Sequence, residues 1–319
     1  MSENITPNAI DRVEILTLQD NYIEITAMDN NEVISRATAF ADGELKNSIQ
    51  AEHGYSAIVR TTRDDRTRTL VFDFGFSDEG AAYNARLLNV DPGTIEQMAL
   101  SHGHMDHFGG FYEFVKMIGK EGIEFVVHPK AFKQTRYLKF GETIKAFFPK
   151  FIKSEVERTG VKLVETAEPY PLLDGDALFL GEIARKTDFE KGFPIAFFEE
   201  NGVETWDPIE DDTSVVMNVR GKGLVILSGC AHAGIINTVN YAKAVTGIDD
   251  VYVVMGGFHL SGPMFEPIIG RTTDELKKIN PTYVVPCHCT GRKAIMHMEK
   301  EMPDSFILNM SGTKLTFSA

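Results

Sequence analysis

Four side chains that can bind a metal ion lie within six residues in the segment SHGHMDHFGG, residues 101–110. The segment follows IEQMAL and precedes FYEFVKMIGKEG, a pattern that predicts a strand, a tight loop and a helix. Side chains alternate along a strand, so His102 and His104 are predicted to point to one side. A turn at Asp106 then directs Asp106 and His107 to a second centre. The chain must therefore adopt a fold in which a strand-to-helix junction closes around metal ions.

Imidazole and carboxylate groups are ligands for Zn²⁺ and also for iron and Mn²⁺. We therefore expect one or two zinc ions per chain, with iron or manganese as alternatives. Gly103 is predicted to let the loop pass close to the metals. The sequence contains no G-x-S-x-G motif, P-loop or G-x-G-x-x-G motif. If the reaction needs a nucleophile, we expect it to be a water molecule activated by metal.

Short β-branched apolar runs, each closed by glycine or a polar turn, predict strands over residues 13–18, 55–62 and 68–77. In the second half of the chain such runs alternate with helical patterns. This alternation favours an α/β fold in which helices cover the sheets.

The domain organisation is predicted from the same patterns. Residues 1–11 are polar and are predicted to be a flexible tail, and residues 12–319 are predicted to form a single domain. Residues 130–200 show the weakest pattern, with a predicted helix near 143–158. We expect this segment to be an elaboration of the domain, a cap that covers or shapes a site.

Further ligands are predicted where apolar strands end. His232 in ILSGCAHAGI and His288 in YVVPCHCTG each follow such a strand directly. Both are predicted to be metal ligands, because ligands from distant sequence converge at one edge of a sheet. Asp73 in LVFDFG ends another strand and suits a role in holding the ring of a ligand histidine. The acidic run at residues 210–212 has the composition of a solvated turn.

Several other residues have two interpretations each. His259, also at a strand end, is a candidate catalytic residue in contact with substrate, or a structural residue. Cys230 is a candidate metal ligand or a small buried apolar residue. Thr290 and Arg292 are candidates for anion binding at a helix start, although Thr290 would also cap that helix. His128 is either a residue of the site or a histidine at the edge of a sheet.

Composition restricts the partners of the chain. The formal net charge is −14, and such a surface repels nucleic acids and anionic membranes. Three cysteines and the lack of a signal-like start predict a cytoplasmic protein. We expect a small-molecule substrate, and a phosphorylated molecule is a candidate. We expect no nucleic acid or membrane partner. A homo-oligomer is compatible with the sequence.

Together with Asp73 and the later histidines, SHGHMDHFGG resembles the metal-binding motif of the metallo-β-lactamase superfamily. The resemblance covers nearly the whole chain and implies a four-layer αββα sandwich with a two-metal site at one edge. The motifs EHGYSAIV, VFDFGFSD, LGEIAR, GGFHL and PCHCTG are similar to one branch of that superfamily. This branch contains the 7,8-dihydropterin-6-methyl-4-(β-D-ribofuranosyl)aminobenzene-5'-phosphate synthase-like proteins. The resemblance implies the following metal ligands: His102, His104, Asp106, His107 and His288.

The chain departs from the common superfamily pattern at two places. Most members have another histidine between the first motif and a Gly-Asp turn whose aspartate bridges the metals. Here that interval contains only His128, and the turn is Gly229-Cys230. We expect His232 to supply the missing ligand.

Three activities are compatible with this pattern. The first is a metal-dependent hydrolase of phosphoesters, lactones or thioesters, in which Asp106 and His259 are the catalytic candidates. The second is a transferase of pterin biosynthesis that releases pyrophosphate from a dihydropterin diphosphate. An oxidoreductase ranks last, because the superfamily's electron-transfer members usually carry H-x-E-x-D-H and a flavodoxin-like domain, whereas this chain has His104 and no such domain.

Overall fold

The structure is a computed structural model that describes residues 4–319. In chain order, its strands are β1 Ala9–Ile10, β2 Arg12–Gln19, β3 Ile34–Ser35, β4 Phe40–Ala41, β5 Glu44–Leu45, β6 Ser56–Arg63, β7 Arg66–Phe72, β8 Ile95–Ala99, β9 Glu124–Val127, β10 Arg136–Phe140, β11 Ile144–Phe147, β12 Lys162–Glu165, β13 Tyr170–Leu172, β14 Ala177–Phe179, β15 Ala196–Glu200, β16 Val203–Trp206, β17 Ser214–Val219, β18 Gly223–Ser228, β19 Val251–Gly257, β20 Tyr283–Cys287 and β21 Lys314–Ser318. Its α-helices are α1 Gly80–Leu87, α2 Met105–Phe108, α3 Phe111–Ile118, α4 Lys153–Arg158, α5 Ile235–Thr246, α6 Ile269–Ile279 and α7 Arg292–Glu301.

Two large sheets form the centre of the molecule. One has the strand order β12-β9-β8-β7-β6-β2-β21-β3, and the other has the order β13-β14-β17-β18-β19-β20, with β1 beside β17. A separate sheet has the order β11-β10-β15-β16, and β4 pairs with β5. Both large sheets combine antiparallel pairs with a parallel portion, β7-β8-β9 in one and β18-β19-β20 in the other.

Three groups of buried side chains define four layers. Side chains from the facing surfaces of the two large sheets form the central core, in which Val59 and Phe72 pack with Met217 and Val225. Helices α1 and α3 cover the outer surface of one sheet, and α5, α6 and α7 cover that of the other. The predicted αββα sandwich is confirmed.

The candidate ligands gather where parallel strands end. Asp73 follows β7, the 101–107 segment follows β8, and the segment with Cys230 and His232 follows β18. His259 and His288 follow β19 and β20. The carboxyl ends of parallel strands meet at one edge of each sheet, and in α/β proteins this edge commonly carries the binding site.

The prediction of a flexible tail over residues 1–11 is wrong for its described part, residues 4–11. The backbone N–H of Ile5 donates to the carbonyl of Val245, and β1 pairs in parallel with β17. Ile10 is fully buried in the central core. The segment is ordered because its apolar side chain enters the core and its backbone pairs with Asn218 and Val219, the end of β17 that lies beyond the pairing with β14.

The segment 130–200, predicted to be one elaboration, is divided among three sheets. Strands β10, β11 and β15 belong to the separate four-stranded sheet, which we call the cap sheet. The middle of the segment, β12 to β14, instead extends the two large sheets. The helix predicted near 143–158 is confined to α4, because residues 144–147 form β11 and pair with β10.

Candidate metal centre

Three imidazole rings form the first group of candidate ligands. One ring nitrogen from each of His102, His104 and His232 lies within 4.8 Å of the others. The Nε2 atoms of His102 and His232 face each other at 3.2 Å. Burial holds the pKa of both rings well below the ordinary value, and burial together with the Arg136 charge lowers the pKa of His104 to about 4. The three rings are therefore neutral, the form in which imidazole binds a metal.

The second group combines Asp106, His107, Cys230 and His288, again with ligand atoms within 4.8 Å of one another. Asp106 Oδ2 is 3.3 Å from His288 Nε2 and 3.8 Å from His107 Nε2. His107 Nε2 lies 3.1 Å from Cys230 Sγ. Although burial opposes ionisation of Asp106, the surrounding histidines hold its pKa well below the ordinary value. The sequence-predicted turn thus separates His102 and His104 from Asp106 and His107.

Polar partners orient these rings through their Nδ1 atoms. His107 Nδ1 is 2.7 Å from Asp73 Oδ2, and His102 Nδ1 is 3.0 Å from the Ser101 hydroxyl. His288 Nδ1 is 3.1 Å from Asn21 Oδ1. A hydrogen bond from Nδ1–H directs Nε2 at the centre, which is the arrangement found behind metal-ligating histidines. Although burial opposes protonation of His107, the Asp73 and Asp106 charges raise its pKa to about 9, and a bound metal ion would take the place of the proton on its Nε2.

The donor set fits a divalent metal ion. His288 Nε2 is buried, and although Asp106 Oδ2 lies 3.3 Å away, the two groups are not aligned for a hydrogen bond. Neutral nitrogens of three histidines also converge in the first group, where only a cation would satisfy all of them at once. Imidazole, carboxylate and thiolate together are ligands of zinc-type metals.

A pocket of about 340 Å³ opens onto both groups. Its lining includes His53, which the sequence left unassigned, and the aromatic rings of Phe148 and Phe193. His53 Nε2 lies 3.4 Å from Asp106 Oδ2, and its ring is largely exposed. Phe148 stacks on His104 with ring centroids 4.7 Å apart. No local sequence signal marks these residues, because distant segments bring them to the pocket.

His259 also lines this pocket. It has a left-handed backbone with φ of 47°, and its Nδ1 has no hydrogen-bond partner among the described residues. Its ligand atom lies within 4.8 Å of those of Cys230 and Cys289. The structure thus brings the thiol of Cys289 to the edge of the site.

The acidic run at residues 210–212 is not a solvated turn. Asp211 and Asp212 are 0% and 1% exposed. Asp211 Oδ2 accepts from the Gly103 N–H at 2.7 Å, and Asp212 Oδ2 accepts from the Ala233 N–H at 2.9 Å. One loop contains His102 and His104 and the other contains His232. The adjacent carboxylates of Asp211 and Asp212 therefore hold the two loops that contain the candidate ligands. Arg136 neutralises the Asp211 carboxylate.

Gly103 allows a close approach between two loops. A Cβ atom at this position would collide with the backbone carbonyl of Ala131. The close approach leaves the Gly103 N–H directed at Asp211.

The sequence matches the Metallo-beta-lactamase superfamily over residues 51–288. The chain belongs to that superfamily. It is 32% identical to the 7,8-dihydropterin-6-methyl-4-(beta-D-ribofuranosyl)-aminobenzene-5'-phosphate synthase of Methanocaldococcus jannaschii, over 92% of this chain and 99% of the relative. It is 30% identical to the uncharacterized protein MJ0448 of the same organism, over 81% of this chain and 92% of that one. The solved structure of Tm1679, titled a metal-dependent hydrolase of the beta-lactamase superfamily, superposes with a TM-score of 0.71 and 24% identity, covering 96% and 100% of the two chains.

Within this metallo-β-lactamase fold, His232 completes the three-histidine group and Cys230 lies in the second group. His128 is outside both groups, and its Nδ1 accepts from the Lys130 N–H at 3.1 Å. The cysteine thus lies among the candidate ligands, at the turn Gly229-Cys230, and burial raises its pKa well above the ordinary value.

Thr290 is an unsuitable anion ligand in this structure. Its side chain is fully buried, and its hydroxyl accepts from the Phe258 N–H at 2.9 Å. Arg292 is exposed at the start of α7, and its binding of an anion stays a prediction. None of the helices within residues 4–319 is long and apolar enough to cross a membrane.

We expect Asp73→Asn to weaken metal binding by about 10- to 100-fold. The substitution keeps the size of the side chain and tolerates the left-handed backbone at this position, where φ is 60°. It removes the charge that orients His107. Calorimetric metal titration measures the effect, with Asp78→Asn at a nearby exposed position as the control. Equal metal affinities in the two variants would contradict the role assigned to Asp73.

Proposed function

We propose that the protein is a metal-dependent hydrolase that acts on a phosphoester, lactone or thioester of a small molecule. The observation that carries the proposal is the meeting of two groups of metal-type ligands at one pocket. His102, His104 and His232 would hold one metal ion, and Asp106, His107, Cys230 and His288 would hold a second. When bound, such ions lower the pKa of a coordinated water to about 7 and polarise the bond under attack.

The chain's own groups would act around the reacting bond. Asp73, Ser101 and Asn21 fix the ring orientations of the histidines. Asp106 lines the pocket, and the surrounding histidines keep its carboxylate ionised, as a metal ligand must be. His259 lines the pocket, and its ring would contact the substrate. Phe148 and Phe193 shield part of the pocket from water.

A transferase of pterin chemistry is the second candidate, and the extent of the match to the Methanocaldococcus jannaschii synthase favours it. In that reaction an arylamine attacks the methylene carbon of a dihydropterin diphosphate. The bond between that carbon and oxygen breaks, pyrophosphate leaves, and the amine nitrogen loses a proton. The same ligands would then hold the leaving pyrophosphate.

One assay separates the two candidates. Zinc-loaded protein is incubated with a dihydropterin diphosphate, with and without an arylamine, and with a generic phosphodiester, a lactone and a thioester. Hydrolysis predicts turnover of at least one ester without an acceptor, and loss of that turnover in His104→Ala and after chelation. Pyrophosphate release that requires the arylamine, with no ester turned over, would replace the hydrolase with the transferase. Less than one metal per chain after loading would contradict both.

The remaining expectations are parts of the same proposal. We propose zinc as the metal, with iron or manganese as alternatives, and a small, phosphorylated molecule as the substrate. A cytoplasmic location fits the free state of the three buried cysteines, Cys230, Cys287 and Cys289.

A further inference from the structure

A second cavity lies beside the candidate metal centre and has a volume of about 220 Å³. One wall comes from the segment 189–194, and the other comes from the segment 258–268 that follows β19. Its lining is dominated by apolar side chains: Phe189, Phe258, Leu260, Met264, Phe265 and Ile268. A cavity with this lining recognises an apolar part of a ligand.

The one carboxylate in the lining is already committed to the protein. Glu190 Oε1 accepts from the Ile236 N–H, and Oε2 accepts from the Asn237 N–H, each at 2.9 Å. Glu190 therefore caps the start of α5 and leaves no free helix N-terminus for a phosphate. The lining also includes the cation Lys191, which is exposed to solvent. The buried part of the cavity therefore offers mainly apolar and aromatic walls.

The cavity is a neighbour of the metal pocket. His232 and His259 line both spaces, and their ring centroids are 4.2 Å apart. His232 is also a candidate metal ligand. A group attached to a molecule in the metal pocket would have to pass only these two rings to enter the second cavity.

Aromatic rings form part of the wall. Phe265 meets His259 edge-on, with centroids 4.5 Å apart and planes at 79°. Phe265 is only half-buried, so it leaves ring surface uncovered. Aromatic groups prefer such edge-on and offset contacts, and an apolar cavity of about 150 Å³ is enough to hold benzene.

From these observations we infer that the second cavity is a subsite for a flat aromatic group of the substrate. The inference rests on the proposed function in taking the occupant to be part of the molecule that reacts at the metal pocket. It adds the substrate class: a molecule in which an aromatic ring lies next to the anionic or ester group that the metals engage.

The test compares two non-hydrolysable probes on zinc-loaded protein, benzylphosphonate and cyclohexylmethylphosphonate. They have the same number of carbons and the same anionic group, but only the first ring is flat. Calorimetry should show about 2- to 10-fold tighter binding of benzylphosphonate. Trp206, the only tryptophan of the chain, should report the same event by fluorescence, because its Nε1 donates to the Phe193 carbonyl at 2.9 Å.

Two variants and one control locate the effect. Phe265→Ala should bring the ratio of the two affinities close to one, and Ile268→Trp should fill the cavity and weaken benzylphosphonate by about 10-fold. Phe140→Ala removes an exposed ring of the cap sheet and should preserve the ratio. Equal binding of the two probes to the unaltered protein, or a preference that survives both cavity variants, would overturn the inference.

The outcomes for the subsite and for the proposed function are separable. A preference for the aromatic probe in a protein that turns over no ester would remove the hydrolase and keep the subsite. Ester hydrolysis without an aromatic preference would keep the hydrolase and remove the subsite.

Discussion

Asp211→Ala is expected to lower the free energy of unfolding by about 3–5 kcal/mol and to weaken metal binding, because it leaves a buried cation without its main partner. Arg136 is 3% exposed and forms a two-point ion pair with Asp211. Burial opposes ionisation of Asp211, but the arginine holds its pKa well below the ordinary value. Because Arg136 keeps an ion pair with Asp207 at 2.9 Å, we expect a loss toward the lower end of this range.

The effect on metal binding has a separate cause. Asp211 also accepts the Gly103 N–H, and without it the loop with His102 and His104 loses the group that fixes its backbone. Urea unfolding measures the first effect, and metal titration of the folded variant measures the second.

Glu210→Ala is the matched control for this substitution. Glu210 is the preceding residue, its side chain is 28% exposed, and it pairs with Lys133. Ion pairs near the surface contribute about 0–1 kcal/mol to stability. The free energy of unfolding of this variant should therefore be close to that of the unaltered protein, and its metal affinity should be the same. Similar losses of stability in both variants would show that Asp211 does not have the structural role described here.

His232→Ala is expected to reduce the metal content of the loaded protein from two ions per chain to one. Removal of a residue that only hydrogen-bonds a metal ligand lowers activity by about 10- to 100-fold. Because His232→Ala removes a ligand itself, it should lower turnover by more than that. The reason is that His232 supplies the third neutral imidazole of the first group, with Nε2 only 3.2 Å from that of His102. The second group keeps all of its members and should retain its ion.

Elemental analysis after metal loading and gel filtration measures this change. His128→Ala removes a comparably buried histidine that lies outside both groups, so its metal content should stay at two. A full complement of two ions in His232→Ala would refute the assignment of His232 to the first group.

The layered fold and the placement of the histidines could be predicted because both depend on local patterns. Short β-branched runs form strands, and a histidine that directly follows a buried strand lies at the edge of its sheet. This reasoning identified His232 and His288 from their positions in the chain alone. It also placed Asp73 at the end of β7, from which its carboxylate contacts His107.

The supporting groups could not be predicted because their environment comes from distant parts of the chain. Asp211 is buried by Arg136, which lies 75 residues earlier, and Asn21 reaches His288 across 267 residues. An acidic run taken alone is typical of a solvated turn, and only the tertiary structure shows which charges neutralise it. The N-terminal segment was mistaken for a tail for the same reason, since its partner, β17, lies about 200 residues away.

Arg136 belongs to β10 of the cap sheet, whereas the loop that it supports through Asp211 belongs to the metal centre. The cap sheet and the centre are therefore linked thermodynamically. Any ligand that orders the loop must stabilise the cap sheet by the same free energy by which an ordered cap sheet improves the binding of that ligand. A substitution far out on the cap sheet can thus change metal affinity without touching a ligand, and loss of metal can loosen a surface that contains no metal-binding residue.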